Sequence, residues 1–141
     1  MSNENFKMIA KTFYGFENIL CDELLKLGAQ KITKGLRSVS FYGDTGFMYK
    51  SNLSLRTALK ILKPIKEFKF NDLESYYESI KSIEWEKYMD IDSSFSINSV
   101  VFHSKIFDNS KFTSLKAKDA IVDRFRSLFG RRPNVNTLNP E

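Results

Sequence analysis

Hydrophobic and polar positions alternate in short runs over the first half of the chain. The run 6–13 (FKMIAKTF) predicts a strand, and Tyr14-Gly15 separates it from a helix over about 16–27, which Gly28 ends. Two short strands are predicted at 31–34 and 38–42, and a helix that Asp44 or Thr45 can cap is predicted at 45–54. The segment 56–70 has a strand-like pattern, and Pro64 indicates that it lies at a sheet edge or contains a bulge. The order β-α-β-β-α-β predicts a ferredoxin-like domain.

The second half has a longer helical period. Asn71 or Asp72 opens a helix through about Ile83, and 84–89 predicts a further helical turn. The alternating run 94–102 (SFSINSVVF) predicts a strand, and 111–129 predicts an amphipathic helix that Gly130 ends. The last residues predict an irregular, basic exit with no strand. The chain is therefore expected to be α+β, with a ferredoxin-like domain at 1–70 and an α-β-α domain at 71–141.

Two of the predicted helices have an apolar face. At 100° per residue, the face of the last helix is formed by Leu115, Ile121, Val122, Phe125, Leu128 and Phe129. In the first helix the face is formed by Phe16, Ile19, Leu20, Leu24 and Leu27. Glu23 projects into the middle of this second face, so we expect it to form a structural ion pair with Arg37 or Arg56.

Composition narrows the function classes. The 141 residues contain one cysteine, Cys21, and one histidine, His103, which excludes an intramolecular disulfide, a thiolate zinc cage and a multi-histidine metal site. The sequence has no GxGxxG, GxxxxGK[ST], HExxH, CxxC or GxSxG motif. No stretch is long and apolar enough for a membrane span, and no signal peptide is evident. We expect a soluble, cytoplasmic protein without a metal or a membrane partner.

Positive charge is concentrated near the C-terminus. The chain carries a net charge of +5, and the stretch 104–132 alone contains eight Lys or Arg residues against three Asp residues. A basic surface of this kind is typical of phosphate contacts to nucleic acid. An ordinary solvated helix face explains the same pattern, because Asp119 can pair with Lys116 and Asp123 with Arg126 at i,i+3 spacing.

The Lys and Arg side chains of this stretch are expected to differ in whether an acidic residue pairs with them. Lys118 projects among apolar residues, so it either extends its stem to water or points into a concavity where an anion binds. Arg131 and Arg132 follow the helix with no acid nearby in sequence, which makes them the strongest candidates for phosphate contact. The candidate RNA-binding residues are Lys105, Lys111, Lys116, Lys118, Arg124, Arg131 and Arg132.

Several separated blocks resemble one family. The run 115–126 (LKAKDAIVDRFR), followed by 130–135 (GRRPNV), resembles the second helix and following loop of the THUMP domain in bacterial RNA methyltransferases. The blocks 12–17 (TFYGFE), 21–24 (CDEL) and 39–43 (VSFYG) are similar to the ferredoxin-like domain that precedes THUMP in that group. Of the members, the large-subunit ribosomal RNA guanine-N2-methyltransferases are the most similar.

The resemblance implies a ferredoxin-like domain beside a THUMP domain that binds RNA, with large-subunit ribosomal RNA as the partner. It also implies a methyltransferase domain that uses S-adenosylmethionine. The family has further strands after the 133–135 loop, so we expect these residues to be a fragment with an incomplete THUMP domain, no cofactor and no catalytic residue of its own. An unpaired edge of the 94–102 strand is then expected to favour self-association.

Three alternatives remain open at this level. The THUMP resemblance also fits a thiouridine or pseudouridine synthase. A ferredoxin-like protein-interaction module without a nucleic-acid role predicts a large exposed apolar patch. A small enzyme that uses Cys21 and His103 would need residues about 80 positions apart to meet without a supporting acid. For Cys21 an inert role, and for His103 a surface or capping role, is favoured.

Overall fold

The computed structural model describes residues 4–140. The chain divides into two compact units between Glu67 and Phe68, and each is described by itself. Both units combine helices and strands, so the α+β prediction is confirmed. Among the described residues, no helix has the length and apolar character needed to cross a membrane.

The first unit is a four-stranded antiparallel sheet with two helices. Its elements are β1 Phe6–Lys11, α1 Glu17–Leu27, β2 Gln30–Gly35, β3 Ser38–Gly43, α2 Thr45–Ser54 and β4 Lys60–Leu62. The strand order β2-β3-β1-β4 places β4 at an edge, and each neighbouring pair is antiparallel. This arrangement confirms the ferredoxin-like prediction. The last strand has three residues, much less than the β-leaning segment 56–70 indicated, because only three residues pair with β1.

One face of this sheet is covered by the helices. Met8, Ala10, Val39 and Phe41 are fully buried with Leu20 and Leu24 of α1. Phe16 and Ile19, which the periodicity assigned to the same stripe, are about half exposed, so that part of the prediction is wrong. Phe16 and Ile19 lie at the N-terminal end of α1, whereas the fully buried residues of this helix, Leu20 and Leu24, lie further along it.

Glycine and aspartate end and begin the helices as predicted. Gly28 follows α1 with φ of 95°, a left-handed conformation in which its backbone N–H reaches the carbonyls of Leu24 and Leu25. Asp44 caps α2 by accepting a hydrogen bond from the Phe47 backbone N–H at 2.7 Å. These local signals are readable from sequence because each involves residues only a few positions apart.

The second unit is built around two packed helices. Its elements are α3 Leu73–Lys81, a short 3-10 turn at Trp85–Lys87, β5 Ser94–Phe95, α4 Ser110–Phe129 and β6 Asn134–Val135. An aromatic cluster lies beside these helices, with ring centroids 5.0 Å apart for Phe70 and Tyr76 and 4.7 Å apart for Tyr76 and Phe107. Asp72 and Ser75 form a capping box at the start of α3.

Two strand predictions in this unit are wrong. The segment 94–102 forms a strand only at Ser94–Phe95, and the basic exit contains β6, which pairs in parallel with β5. The backbone N–H of Asn136 also donates to the Phe95 carbonyl at 3.0 Å. Alternation continues after Phe95, but β6 offers only two partner residues. Because β5 is paired on one side, self-association through a free edge remains a prediction for its other side.

The buried face of α4 agrees with the predicted one only in part: Ile121, Val122 and Phe125 are buried as predicted. Thr113, Ala117 and Ala120 are buried, whereas Leu115, Leu128 and Phe129 are about half exposed. Small residues lie where α3 packs against α4, and the Tyr76 hydroxyl there donates to the Thr113 carbonyl at 3.2 Å. Close approach of two helices favours small residues at the contact, so a prediction from hydrophobicity alone missed Thr113, Ala117 and Ala120.

Candidate nucleic-acid interface

The seven predicted RNA-binding residues all lie in the second unit. Lys105 precedes α4, four residues belong to α4, and Arg131 and Arg132 follow it. Lys105, Lys111 and Arg132 are exposed, and within residues 4–140 they have no acidic partner. Their role in binding RNA remains a prediction.

Two lysines of α4 interact locally. The Lys116 ammonium lies 5.7 Å from the centroid of the Phe112 ring, a cation–π contact within the helix. Lys118 pairs with Asp119, with nitrogen and oxygen 2.9 Å apart. The predicted pairing of Asp119 with Lys116 is therefore wrong. Lys118 is partly buried along its stem and keeps its head at an accessible carboxylate, consistent with the extended-stem alternative.

The two arginines after α4 differ from each other. Arg131 pairs with Asp92 at 2.8 Å, so the expectation that it is free is wrong. Asp92 comes from the β5 side of the parallel strand pair, which explains why no acid was visible nearby in sequence. Both side chains of this pair are largely exposed, and such pairs contribute little to stability. A phosphate can therefore compete for Arg131.

The Arg124 guanidinium is hydrogen-bonded to other residues of the second unit. Its Nε and Nη2 donate to the two carboxylate oxygens of Glu86 at 2.7 and 2.6 Å, and its Nη1 donates to the Lys81 carbonyl at 3.1 Å. The hydrogen bonds from Arg124 lower the pKa of Glu86 to about 2. The Arg124 and Glu86 side chains are both partly buried. Arg124 thus joins α4 to α3 and the 3-10 turn, and we remove it from the proposed RNA surface.

Asp123 also has internal partners. It pairs with Arg126 at 3.6 Å, which confirms the predicted i,i+3 pair. It accepts a hydrogen bond from the Tyr77 hydroxyl of α3, and this bond raises the pKa of Tyr77 to about 12. Both acidic residues of α4, Asp119 and Asp123, therefore interact with side chains of the same unit.

A polar cleft of about 250 Å³ lies beside the start of α4. Lys111 and Ser114 line it from the helix, and 97–99 line it from the preceding loop. The Ser114 and Ser99 hydroxyls are 2.7 Å apart, and Asn109 accepts hydrogen bonds from the Lys111 and Phe112 backbone N–H groups. Hydroxyls, amides and an ammonium group are suited to ribose and phosphate groups.

The remaining candidates have structural roles or no evident partner. Glu23 accepts hydrogen bonds from the backbone N–H groups of Arg56 and Thr57 at 3.1 and 3.2 Å and from the Thr57 hydroxyl at 2.6 Å. The expected pair with a guanidinium is therefore wrong. Burial raises the pKa of Cys21, which opposes a nucleophilic role, and His103 is exposed. Within residues 4–140 no group of three metal-ligating side chains occurs.

Because Glu23 holds the 56–57 backbone, its charge is expected to stabilise the first unit. Desolvation opposes ionisation, but the hydrogen bonds from Thr57 and Arg56 hold the pKa of Glu23 below its usual value. We expect Glu23→Gln to lower the free energy of unfolding by about 1 kcal/mol at neutral pH. Urea denaturation followed by circular dichroism measures it, with exposed Asp22→Asn as the matched control.

The stabilisation by Glu23 is fully present above the unfolded-state pKa and is lost as pH falls toward the lower folded-state pKa. The difference between wild type and Glu23→Gln should therefore shrink in acid. Equal stability of Glu23→Gln and wild type at neutral pH would contradict the role assigned to these bonds.

Two family comparisons cover most of the chain. Residues 7–62 match the RlmL ferredoxin-like domain, and residues 70–141 match the THUMP domain. The chain belongs to the THUMP domain family. The resemblance inferred from the sequence blocks is confirmed.

Relatives that match most of this chain are named as methyltransferases. The ribosomal RNA large subunit methyltransferase K/L of Syntrophotalea carbinolica is 34% identical over 135 residues, which are 96% of this chain and 19% of that protein. The protein of the same name from Cellvibrio japonicus is 35% identical over 127 residues, 90% of this chain and 17% of that protein. The THUMP chain thus spans about a fifth of the length of these relatives.

Solved structures agree with the fold. A possible methylase from Clostridium difficile 630 superposes with a TM-score of 0.81 at 26% identity and covers 91% of this chain and 34% of its own. A candidate methyltransferase complexed with SAH superposes with a TM-score of 0.80 at 26% identity, over 93% of this chain and 34% of its own. The THUMP chain is therefore similar to a region of larger methyltransferase-like proteins.

Proposed function

We propose that this chain is the RNA-recognition part of an RNA methyltransferase, in which it positions RNA for a catalytic domain outside these 141 residues. The observation that carries the proposal is the THUMP match over 70–141, which contains all seven predicted RNA-binding residues. Relatives that cover most of this chain are named as ribosomal RNA methyltransferases.

The proposed surface consists of the cations that remain available. Lys105, Lys111 and Arg132 are exposed and lack acidic partners among the described residues, and Lys111 borders the polar cleft. Lys116 lies over an aromatic ring, and Lys118 and Arg131 have pairs that water reaches. Each phosphate contact releases counterions from RNA, so this surface supplies affinity that falls with salt.

The finer parts of the proposal concern substrate and methyl donor. We propose large-subunit ribosomal RNA as the partner, the N2 amino group of guanine as the methylated group, and S-adenosylmethionine as the donor, which supplies an activated methyl group. The names of the relatives and the SAH complex support the first and the last. The strand-to-helix turns after β1 and after β3 carry no GxGxxG sequence, so we propose that the methyl donor is held by the catalytic domain outside these residues.

The RNA surface is tested by salt-dependent binding. We expect Lys111→Ala/Arg132→Ala to weaken binding of a short stem-loop RNA about tenfold at low salt. The slope of log binding constant against log salt concentration should fall by the amount that one or two phosphate contacts contribute. Fluorescence anisotropy at several salt concentrations measures both quantities.

A charge-matched variant separates a defined surface from general basicity. Lys81→Ala/Lys87→Ala removes two positive charges from α3 and the 3-10 turn of the same unit, and its affinity should stay close to that of wild type. Equal losses in the two double variants would contradict a surface centred on α4. Salt-independent binding would favour the protein-interaction alternative.

A further inference from the structure

The sheet of the first unit has a second face that the helices do not cover. Side chains alternate across a strand, so the buried Met8 and Ala10 of β1 define one face and Lys7, Ile9 and Lys11 define the other. The strand register extends this second face to the neighbouring strands. The open face, as we call it, consists of Lys7, Ile9, Lys11, Lys31, Thr33, Ser38, Ser40, Tyr42, Lys60 and Leu62.

The charge of the open face has a single sign. Four of its residues are lysines, none is acidic, and Lys7, Lys11, Lys31 and Lys60 are all exposed. Lys11 and Lys60 lie directly opposite each other on β1 and β4, an arrangement of like charges that destabilises a sheet. Among the described residues none of the four forms an ion pair. An anion bound between Lys11 and Lys60 would relieve their repulsion.

The open face also offers surfaces for stacking. Tyr42 lies on the central strand β3 opposite Lys7, and the Lys31 ammonium is 5.2 Å from its ring centroid. Where β1 ends, Phe13 and Tyr14 are 60% and 72% exposed. Aromatic rings accept bases of any sequence because every base has a π-face.

We propose that the open face binds a short single-stranded RNA segment, with its lysines at the phosphates and Tyr42 under a base. Lys7 and Lys11 are four residues apart, about 13 Å along the strand, so one short segment reaches both. On β3, Ser40 and Ser38 lie opposite Ile9 and Lys11, and Thr33 of β2 lies opposite Ser40. Their hydroxyl groups suit contacts to ribose and base edges. Antiparallel sheets that present aromatic side chains are a general means of holding unstacked bases.

This inference goes beyond the proposed function, which uses only the second unit. The open face should also prefer a different ligand from the surface on α4. A sheet with aromatic side chains suits unpaired bases, whereas phosphate contacts do not require the bases to be unpaired. The probe is therefore a fluorescein-labelled twelve-nucleotide oligouridine, bound to this chain and followed by anisotropy at several salt concentrations.

The first variant removes charge from the open face. Lys7→Ala/Lys11→Ala is expected to weaken oligouridine binding about tenfold at low salt and to reduce the salt slope by about 1.4, the value for two contacts to a single strand. The matched control is Lys26→Ala/Lys50→Ala, which removes two lysines from α1 and α2 of the same unit. It should bind with nearly wild-type affinity.

The second variant removes stacking without changing charge. Tyr42→Leu is expected to weaken binding about tenfold while the salt slope stays unchanged, because base stacking releases no counterions. Photocrosslinking with 5-bromouridine in the oligonucleotide should give crosslinked peptides from β1 and β3. Thermal melting of each variant confirms that it is folded.

The possible results separate the two proposals. Equal losses in the sheet variant and its helix control, crosslinks confined to α4, or no oligouridine binding at low salt would each overturn the open-face site. If Lys111→Ala/Arg132→Ala abolishes oligouridine binding while both sheet variants bind normally, the surface on α4 stands and the open-face site fails. If the sheet variants lose oligouridine but keep the stem-loop, both proposals are supported.

Discussion

Arg124→Ala is expected to lower the free energy of unfolding of the second unit by about 2 kcal/mol, while affinity for stem-loop RNA stays close to that of wild type. The substitution removes two charge-assisted hydrogen bonds to Glu86 and one hydrogen bond to the Lys81 carbonyl. Glu86 would keep its charge in a partly buried position without its partner. Urea denaturation followed by Trp85 fluorescence measures the change, because the chain has a single tryptophan, which lies in this unit.

A control on the same helix separates this pair from a general charge effect. Arg126 is more exposed and its pair with Asp123 is longer, at 3.6 Å, so Arg126→Ala should cost no more than about 0.5 kcal/mol. A double-mutant cycle with Glu86→Gln should show coupling between positions 86 and 124. Similar losses for the two arginine variants, or a strong loss of RNA affinity in Arg124→Ala alone, would contradict a structural role for Arg124.

The same pair predicts the acid dependence of stability. The folded-state pKa of Glu86, about 2, lies below its unfolded value, so its contribution is fully present above the unfolded pKa and is lost as pH falls from about 5 toward 2. Wild type should therefore lose more stability over this range than Arg124→Ala does. Parallel pH profiles for the two proteins would show that the pair does not stabilise the unit.

The second large effect is expected at the centre of the same unit. Phe125→Ala should lower the free energy of unfolding by about 3–5 kcal/mol, because Phe125 is 1% exposed and its removal leaves a cavity among the residues that join α4 to α3. Trp85 fluorescence during urea denaturation reports the loss. A loss of this size approaches the total stability of a small domain, so the variant is expected to be only marginally folded at room temperature.

Phe129 supplies the matched comparison. It stacks on Phe125 with ring centroids 5.8 Å apart, yet it is about half exposed. Phe129→Ala should therefore cost about 1 kcal/mol, since much of its surface stays in water in the folded protein. If Phe129→Ala were as destabilising as Phe125→Ala, Phe129 would belong to the buried face, as the periodicity predicted.

The basic residues show how far local sequence carries a functional prediction. The charge run pointed to Lys105, Lys111 and Arg132, which are exposed and have no acidic partner within residues 4–140, and their contact with RNA remains a prediction. It failed for Arg124 and Arg131, whose partners Glu86 and Asp92 lie about 40 positions earlier in the sequence. No i,i+3 or i,i+4 rule reaches such partners.

The sequence shows the alternation that produces the open face, but it does not show which residues of the other strands complete that face. The alternation of Lys7, Ile9 and Lys11 with buried residues is visible in the run 6–13. That Lys60 lies opposite Lys11, and Tyr42 opposite Lys7, depends on strand register. Register is set when the whole apolar face is buried at once, so a single strand cannot reveal its neighbours.

The sequence by itself determined the helices, the strand order of the first unit, the helix caps and the family. Helix ends at Gly28, Asp44, Asp72 and Gly130, and the β-α-β-β-α-β order, are properties of neighbouring residues and of local periodicity. Only the tertiary structure decided the short β5–β6 pair, the alanine-lined packing of α4 and the ionic partners of Arg124 and Arg131. Those features join residues far apart in the chain, and their energies exist only when packing brings the residues into contact.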